Sequence, residues 1–195
     1  WGPDKQNLKG TWAIFGMMDR CVSIEDGLRS ALEDPTMLSV VEGSGVTKPI
    51  DGGIEAAVQA ALQADVVLLA IGEAENNSGE SQSRTQIIVP AAQQALAEAI
   101  VATKKPVVVI LKTGRALALA GAVRNAKAIL VAWFLGSQTG PGLADVVFGS
   151  YSPSARLPVS FPQDSGQQPY FYSHSRTGRP QPRNEPRYFK SRYIE

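Results

Sequence analysis

Between residues 23 and 150 the chain alternates amphipathic stretches with unbroken apolar ones. Ser23-Ile24-Glu25-Asp26 reads as a helix start, with Ser23 as N-cap and acidic residues in the first turn. Ile24, Leu28, Ala31 and Leu32 then recur at helical spacing. The short apolar run 37–41 predicts a strand. Asp51-Gly52-Gly53 breaks the chain, and Ile54, Ala57, Val58, Ala61 and Leu62 mark a second amphipathic helix. Val66-Val67-Leu68-Leu69-Ala70-Ile71 shows no alternation, the habit of a strand buried on both faces of a parallel sheet. Pro90 suits the first turn of an alanine-rich helix running to residue 102. Residues 106–111 and 128–133 repeat the buried-strand pattern, and a Gly-rich turn then leads to a helix over 143–148.

Strand and helix alternating in this way require crossover connections and a parallel sheet covered on both faces. The expected fold is α/β, a three-layer α/β/α sandwich with a mostly parallel central sheet. After residue 150 the pattern changes to a proline- and aromatic-rich tail. Residues 153–161 could supply an extended, proline-tolerant edge strand. Beyond Pro162 irregular chain is expected, because proline removes donors and blocks helix. The expected organisation is a sandwich domain over 1–162 and an extended tail over 163–195, packed on it or leading to a further domain.

Composition narrows the function classes. With 195 residues, 44% hydrophobic and 19% charged, the chain can bury a core. Its net charge of +1 gives no reason to expect a nucleic acid partner. The longest apolar run is far too short to cross a bilayer, so no membrane partner is expected. The sequence opens at Trp1 without a methionine, as a processed or truncated piece would. The single cysteine, Cys21, excludes an internal disulfide and a cysteine-based zinc cluster, and reads as a small buried apolar residue.

The most unusual loop follows the first buried strand: Gly72-Glu73-Ala74-Glu75-Asn76-Asn77-Ser78-Gly79-Glu80-Ser81-Gln82-Ser83-Arg84-Thr85. It is almost devoid of apolar residues and lies at the carboxyl end of a central strand, where α/β folds place their chemistry. Glu73, Glu75 and Glu80 each offer a carboxyl group for acid/base work; the alternative is a solvated polar loop. Glu73 abuts the strand end and is suited to fixing loop geometry, whereas Glu75 has no special neighbour. Trp133 ends a strand near the same sheet face as this loop, and its ring could stack on a ligand or simply belong to the core. His174 lies between Ser173 and Ser175, but adjacent residues of an extended tail point apart and no Gly-x-Ser-x-Gly elbow is present. Lys112-Thr113-Gly114-Arg115 lacks the spacing of a phosphate loop and reads as a turn. A flavodoxin-like nucleotide binder is disfavoured for the same reason. No cofactor and no metal are expected.

Ala64-Asp65-Val66-Val67-Leu68-Leu69-Ala70-Ile71-Gly72-Glu73, followed by Ser78-Gly79-Glu80 and Arg84, resembles the C-terminal α/β domain of family 3 glycoside hydrolases. Trp133-Phe134-x-Gly136, Gly140-x-Gly142-Leu143-Ala144-Asp145-Val146-Val147-Phe148-Gly149 and the stretch from Tyr151 to Pro162 are similar to later parts of that domain. Tyr172-Ser173-His174 and Thr177-Gly178-Arg179-Pro180 resemble the tail of its bacterial periplasmic β-glucosidase branch. The resemblance implies a retaining exo-β-glycosidase acting on β-glucosides or oligosaccharides. An N-terminal barrel domain of the same enzyme would carry an aspartate nucleophile, and Glu80 matches the position of the catalytic acid/base. Because a cation beside Glu80 would oppose the acid role, Arg84 is expected to anchor the loop elsewhere.

The chain departs from the family pattern in three places. Most of the family's first strand lies before Trp1, which would leave a slot in the sheet; Gln138 stands where many relatives carry an acidic residue; and the barrel is absent. Alone, the chain is therefore expected to be inactive. The resemblance also favours a periplasmic or secreted setting. A non-catalytic carbohydrate-binding or barrel-bracing module is the alternative.

Overall fold

Three parallel strands form the centre of the molecule, and each is the apolar run expected of it. The computed structural model describes residues 6–173. β1 (Val67–Gly72), β2 (Val107–Lys112) and β3 (Ala128–Val131) lie in that order, with β2 in the middle. The register pairs Val67 with Val107 and Gly72 with Lys112, then Val108 with Ala128 and Leu111 with Val131. All three carboxyl ends thus lie at one edge of the sheet.

Helices α1 (Ile24–Ala31), α2 (Gly53–Gln63), α3 (Ala91–Ala102), α4 (Gly121–Arg124) and α5 (Thr139–Val147) cover the two faces. Alternate residues of β2 divide between two cores. Val107, Val109 and Leu111 pack with Leu69, Ile71, Leu96 and Ile100 on the side of α2, α3 and α4. Ile110 packs with Ile24, Leu28, Leu143 and Ala144 on the side of α1 and α5. The result is the three-layer α/β/α sandwich. Ser23 caps α1 as its sequence requires, accepting a 3.0 Å hydrogen bond from the Asp26 amide.

Two expected strands are corrected. Residues 35–37 form a 3-10 turn instead of starting a strand, because Asp34 accepts hydrogen bonds from both the amide and hydroxyl of Thr36. Those two bonds also hold the Asp34 carboxyl below its usual range. Residues 38–45 have no ladder partner, since β1 pairs with β2 alone among the described residues. Residues 153–161 are irregular and joined to no strand. The proline ring nitrogens at 153 and 158 have no hydrogen to donate to a ladder.

The last helix begins four residues earlier than its apolar pattern suggests, at Thr139. Further on, the Ile87 amide donates to Ser165 Oγ at 3.0 Å, which ties residues after Pro162 to the domain. Trp1-Gly2-Pro3, His174 and the Thr177-Gly178-Arg179-Pro180 motif lie outside the described residues. Among the described residues no helix is long and apolar enough to cross a membrane.

Candidate active-site loop

The loop after β1 is built outward from a crowded strand end. Gly72 takes φ +138°, and a Cβ there would lie 1.7 Å from the Lys112 carbonyl oxygen, so only glycine fits. The buried amide of Gln93, on α3, accepts from the Gly72 amide at 2.6 Å and donates to the Gly72 carbonyl at 2.8 Å and the Val46 carbonyl at 2.6 Å. The Glu73 amide donates to the Lys112 carbonyl at 2.7 Å. β1 therefore enters the loop with its backbone groups satisfied.

Glu73 is completely buried. Its carboxylate accepts a hydrogen bond from Arg84 Nη1 and a 2.8 Å bond from the Thr113 hydroxyl. Arg115 Nε lies 3.3 Å from Glu73 Oε1 as a charge contact without hydrogen-bond geometry. A buried carboxylate is tolerable only with such compensation. Glu73 is thus occupied in structure, and Arg84 engages it as the anchoring role requires.

The chain beyond is held from three directions. The Glu75 amide donates to Asn7 Oδ1 at 2.8 Å, and the Thr11 hydroxyl sits between the carbonyls of Glu75 and Ser78, 2.8 Å from the latter. Arg115 Nη2 donates to the Asn77 carbonyl and, at 3.2 Å, to that of Gln82. Within the loop the Ala74 amide donates to Asn77 Oδ1 at 2.9 Å. A turn closed by the Gln82 amide on the Gly79 carbonyl, at 3.2 Å, carries Glu80 and Ser81 at its tip. Gly79 and Ser81 take φ of +123° and +61° to make it. Glu80 is exposed at that tip, and Glu75 is half-buried.

Trp133 lies past the end of β3 in a left-handed conformation, φ +47°, with its ring tilted on Phe161 at a centroid distance of 6.0 Å. It lines a cavity of about 570 Å³ together with Ile87, Gly114, Arg115, Ala116, Pro158, Val159 and Gln168. Next to it, the ammonium of Lys112 sits 4.2 Å above the Phe134 ring. Cys21 is buried, as a small apolar residue would be.

The sequence places Glu73, Glu80 and Arg84 in this region and shows Thr113 and Arg115 only as part of a turn, while Thr11 and Asn7 carry no signal in it. Only the Thr-Gly-Arg turn after a buried strand could have signalled the second of these segments. The contacts of Asn7 and Thr11 join positions more than sixty residues apart and leave no local trace.

The model of the glycosyl hydrolase family 3 C-terminal domain matches residues 1–194. A periplasmic beta-glucosidase of Salmonella typhimurium is 37% identical, aligned over 98% of this chain and 28% of its own length. A beta-xylosidase of Formosa agariphila is 33% identical over 87% of this chain and 24% of its own. The crystal structure of beta-glucosidase from Listeria innocua in complex with isofagomine superposes with a TM-score of 0.89 at 35% identity. That match covers 97% of this chain and 26% of the other. The chain thus spans only about a quarter of the length of these relatives, and over that quarter it belongs to glycosyl hydrolase family 3, as its C-terminal domain.

Proposed function

We propose that this domain supplies Glu80 as the general acid/base of a retaining exo-β-glycosidase of the β-glucosidase type, whose nucleophile is an aspartate on a barrel domain outside these residues. One observation carries the reading. Of the loop's three glutamates, one is buried and charge-paired while Glu80 stands exposed at the tip of a braced turn. A group meant to meet a substrate held by another domain has to project in this way.

In such a reaction the Glu80 carboxyl protonates the departing glycosidic oxygen as the nucleophile attacks the anomeric carbon. It then removes a proton from the water that hydrolyses the glycosyl ester. The two carboxyl groups must approach to about 5–5.5 Å for this stereochemistry. The substrate class is β-glucosides or short oligosaccharides, in keeping with the names of the similar proteins. The Salmonella relative's periplasmic location favours the same setting here.

The test is Glu80→Gln in the longer enzyme. With p-nitrophenyl β-glucoside and poorer leaving groups, turnover should fall about 10²–10⁴-fold, the usual contribution of a general acid/base. Azide should restore turnover of the activated substrate by replacing water, since the anion needs no base. Full activity without Glu80 would leave a carbohydrate-binding or barrel-bracing module as the better account.

A further inference from the structure

We infer that Arg115 is a positioning residue for Glu80, tying the chain on both sides of it to the buried carboxylate of Glu73; this rests on the acid/base reading above. Its guanidinium reaches in two directions. Nε lies 3.3 Å from Glu73 Oε1, at the end of β1. Nη2 donates to the Asn77 carbonyl, which precedes Glu80, and to the Gln82 carbonyl, which follows it, at 3.2 Å. One planar group therefore pins both feet of the turn that carries Glu80 at its tip.

The anchor is rigid at its other end. Glu73 is fully buried, and Arg84 and Thr113 hold its carboxylate as well. Arg115 itself follows β2 by a tight turn in which its own amide donates to Thr113 Oγ1 at 3.2 Å. The ends of β1 and β2 are thereby coupled to the Glu80 turn through one side chain. Arginine is suited to this because its donors are fixed in a fork, whereas a lysine ammonium is a point charge on a flexible stem. The position of an acid/base matters steeply: a displacement of about 1 Å can cost about 10²-fold in rate. Arg115 acts on the reaction only through the turn it holds.

The experiment compares Arg115→Lys and Arg115→Ala with Glu80→Gln in the longer enzyme proposed above. Each variant is assayed on an activated dinitrophenyl β-glucoside and on an alkyl β-glucoside whose departure requires protonation. Both substrates are measured on the same preparation, so a partly unfolded variant lowers both rates alike and leaves their ratio unchanged. The expected result for Arg115→Lys is a kcat on the alkyl glucoside lowered on the order of 10²-fold with its KM unaltered, and a smaller fall in kcat on the activated one. Adding Arg115→Lys to Glu80→Gln should then cost little more, because both act on one function. Equal losses on both substrates, or none, while Glu80→Gln still shows leaving-group dependence, would overturn the role of Arg115 and leave that of Glu80 standing. Leaving-group independence in Glu80→Gln itself would remove the acid/base reading, and this inference with it.

Discussion

At the scale of single residues, Gly114 decides how close the acidic loop can lie to the sheet. A Cβ at that position would fall 1.9 Å from Ser78 Oγ, 2.8 Å from Ser78 Cβ and 2.9 Å from the Phe134 ring. Ser78 is buried and its carbonyl faces Thr11, so it cannot retreat without shifting the turn ahead of Glu80. Gly114→Ala should therefore destabilise the chain by about 1–3 kcal/mol, as overpacking does. Adding Ser78→Gly should recover part of the loss, giving the coupling expected of residues in contact. Urea denaturation of the four proteins of that cycle measures it, and independent, additive effects would contradict the packing described. The role of Glu73 was legible because it abuts the end of a buried strand, whereas for Arg84 the sequence said only that a cation beside Glu80 would oppose the acid role, not which carboxylate it meets. The role of Arg115 was not legible, because nothing in Thr-Gly-Arg says which way a guanidinium points. Its acceptors lie thirty-three and thirty-eight residues back in the chain.

At the scale of elements, α1 and α5 meet backbone to backbone. A Cβ on Gly27 would lie 2.1 Å from the carbonyl carbon of Gly140, and one on Gly140 would lie 2.1 Å from the Ser23 carbonyl oxygen. This contact explains why α5 starts at Thr139. The Gly-Pro-Gly stretch looks like a turn, yet Pro141 is tolerated in a first helical turn and Gly140 is required by its neighbour. Two glycines in one helix should therefore respond oppositely to the same substitution. Gly140→Ala must push the helices apart and should cost about 1–3 kcal/mol or more. Gly142→Ala meets nothing within 4 Å and should stabilise by about 0.4–1 kcal/mol through helix propensity and a less flexible unfolded chain. Thermal melts of both variants decide the matter; shifts in the same direction would refute this view of the crossing. The three strands and four of the five helices could be read from their apolar pattern, although β3, at the sheet edge, is only partly buried. The single-turn α4 (Gly121–Arg124) was too short to show a period. The run at 37–41 was misread because an apolar segment becomes a strand only where a neighbouring strand offers a ladder.

At the scale of the whole molecule, the surface beside the acidic loop is unusually apolar. Trp12, Ile14, Phe15 and Met17 are all exposed, Phe15 to 91% and Ile14 to 75%. They directly follow or lie near Thr11, whose hydroxyl holds the carbonyls of Glu75 and Ser78, so the patch adjoins the loop that presents Glu80. Large side chains grouped in this way on one exposed segment are the mark of an interaction surface. A chain that spans about a quarter of its relatives' length has such a surface to cover if the proposed barrel packs on this side. Isolated, it should bury the patch against further copies of itself. Light scattering on the separate chain should accordingly show a mass that rises with concentration, and Ile14→Ser with Phe15→Ser should suppress the rise while leaving the melting temperature close to that of the parent. Neither side chain belongs to either core cluster, which is why stability should be spared. A constant monomeric mass over the accessible concentrations would mean that these side chains are tolerated in water. The covering partner would then have to be argued from the loop alone.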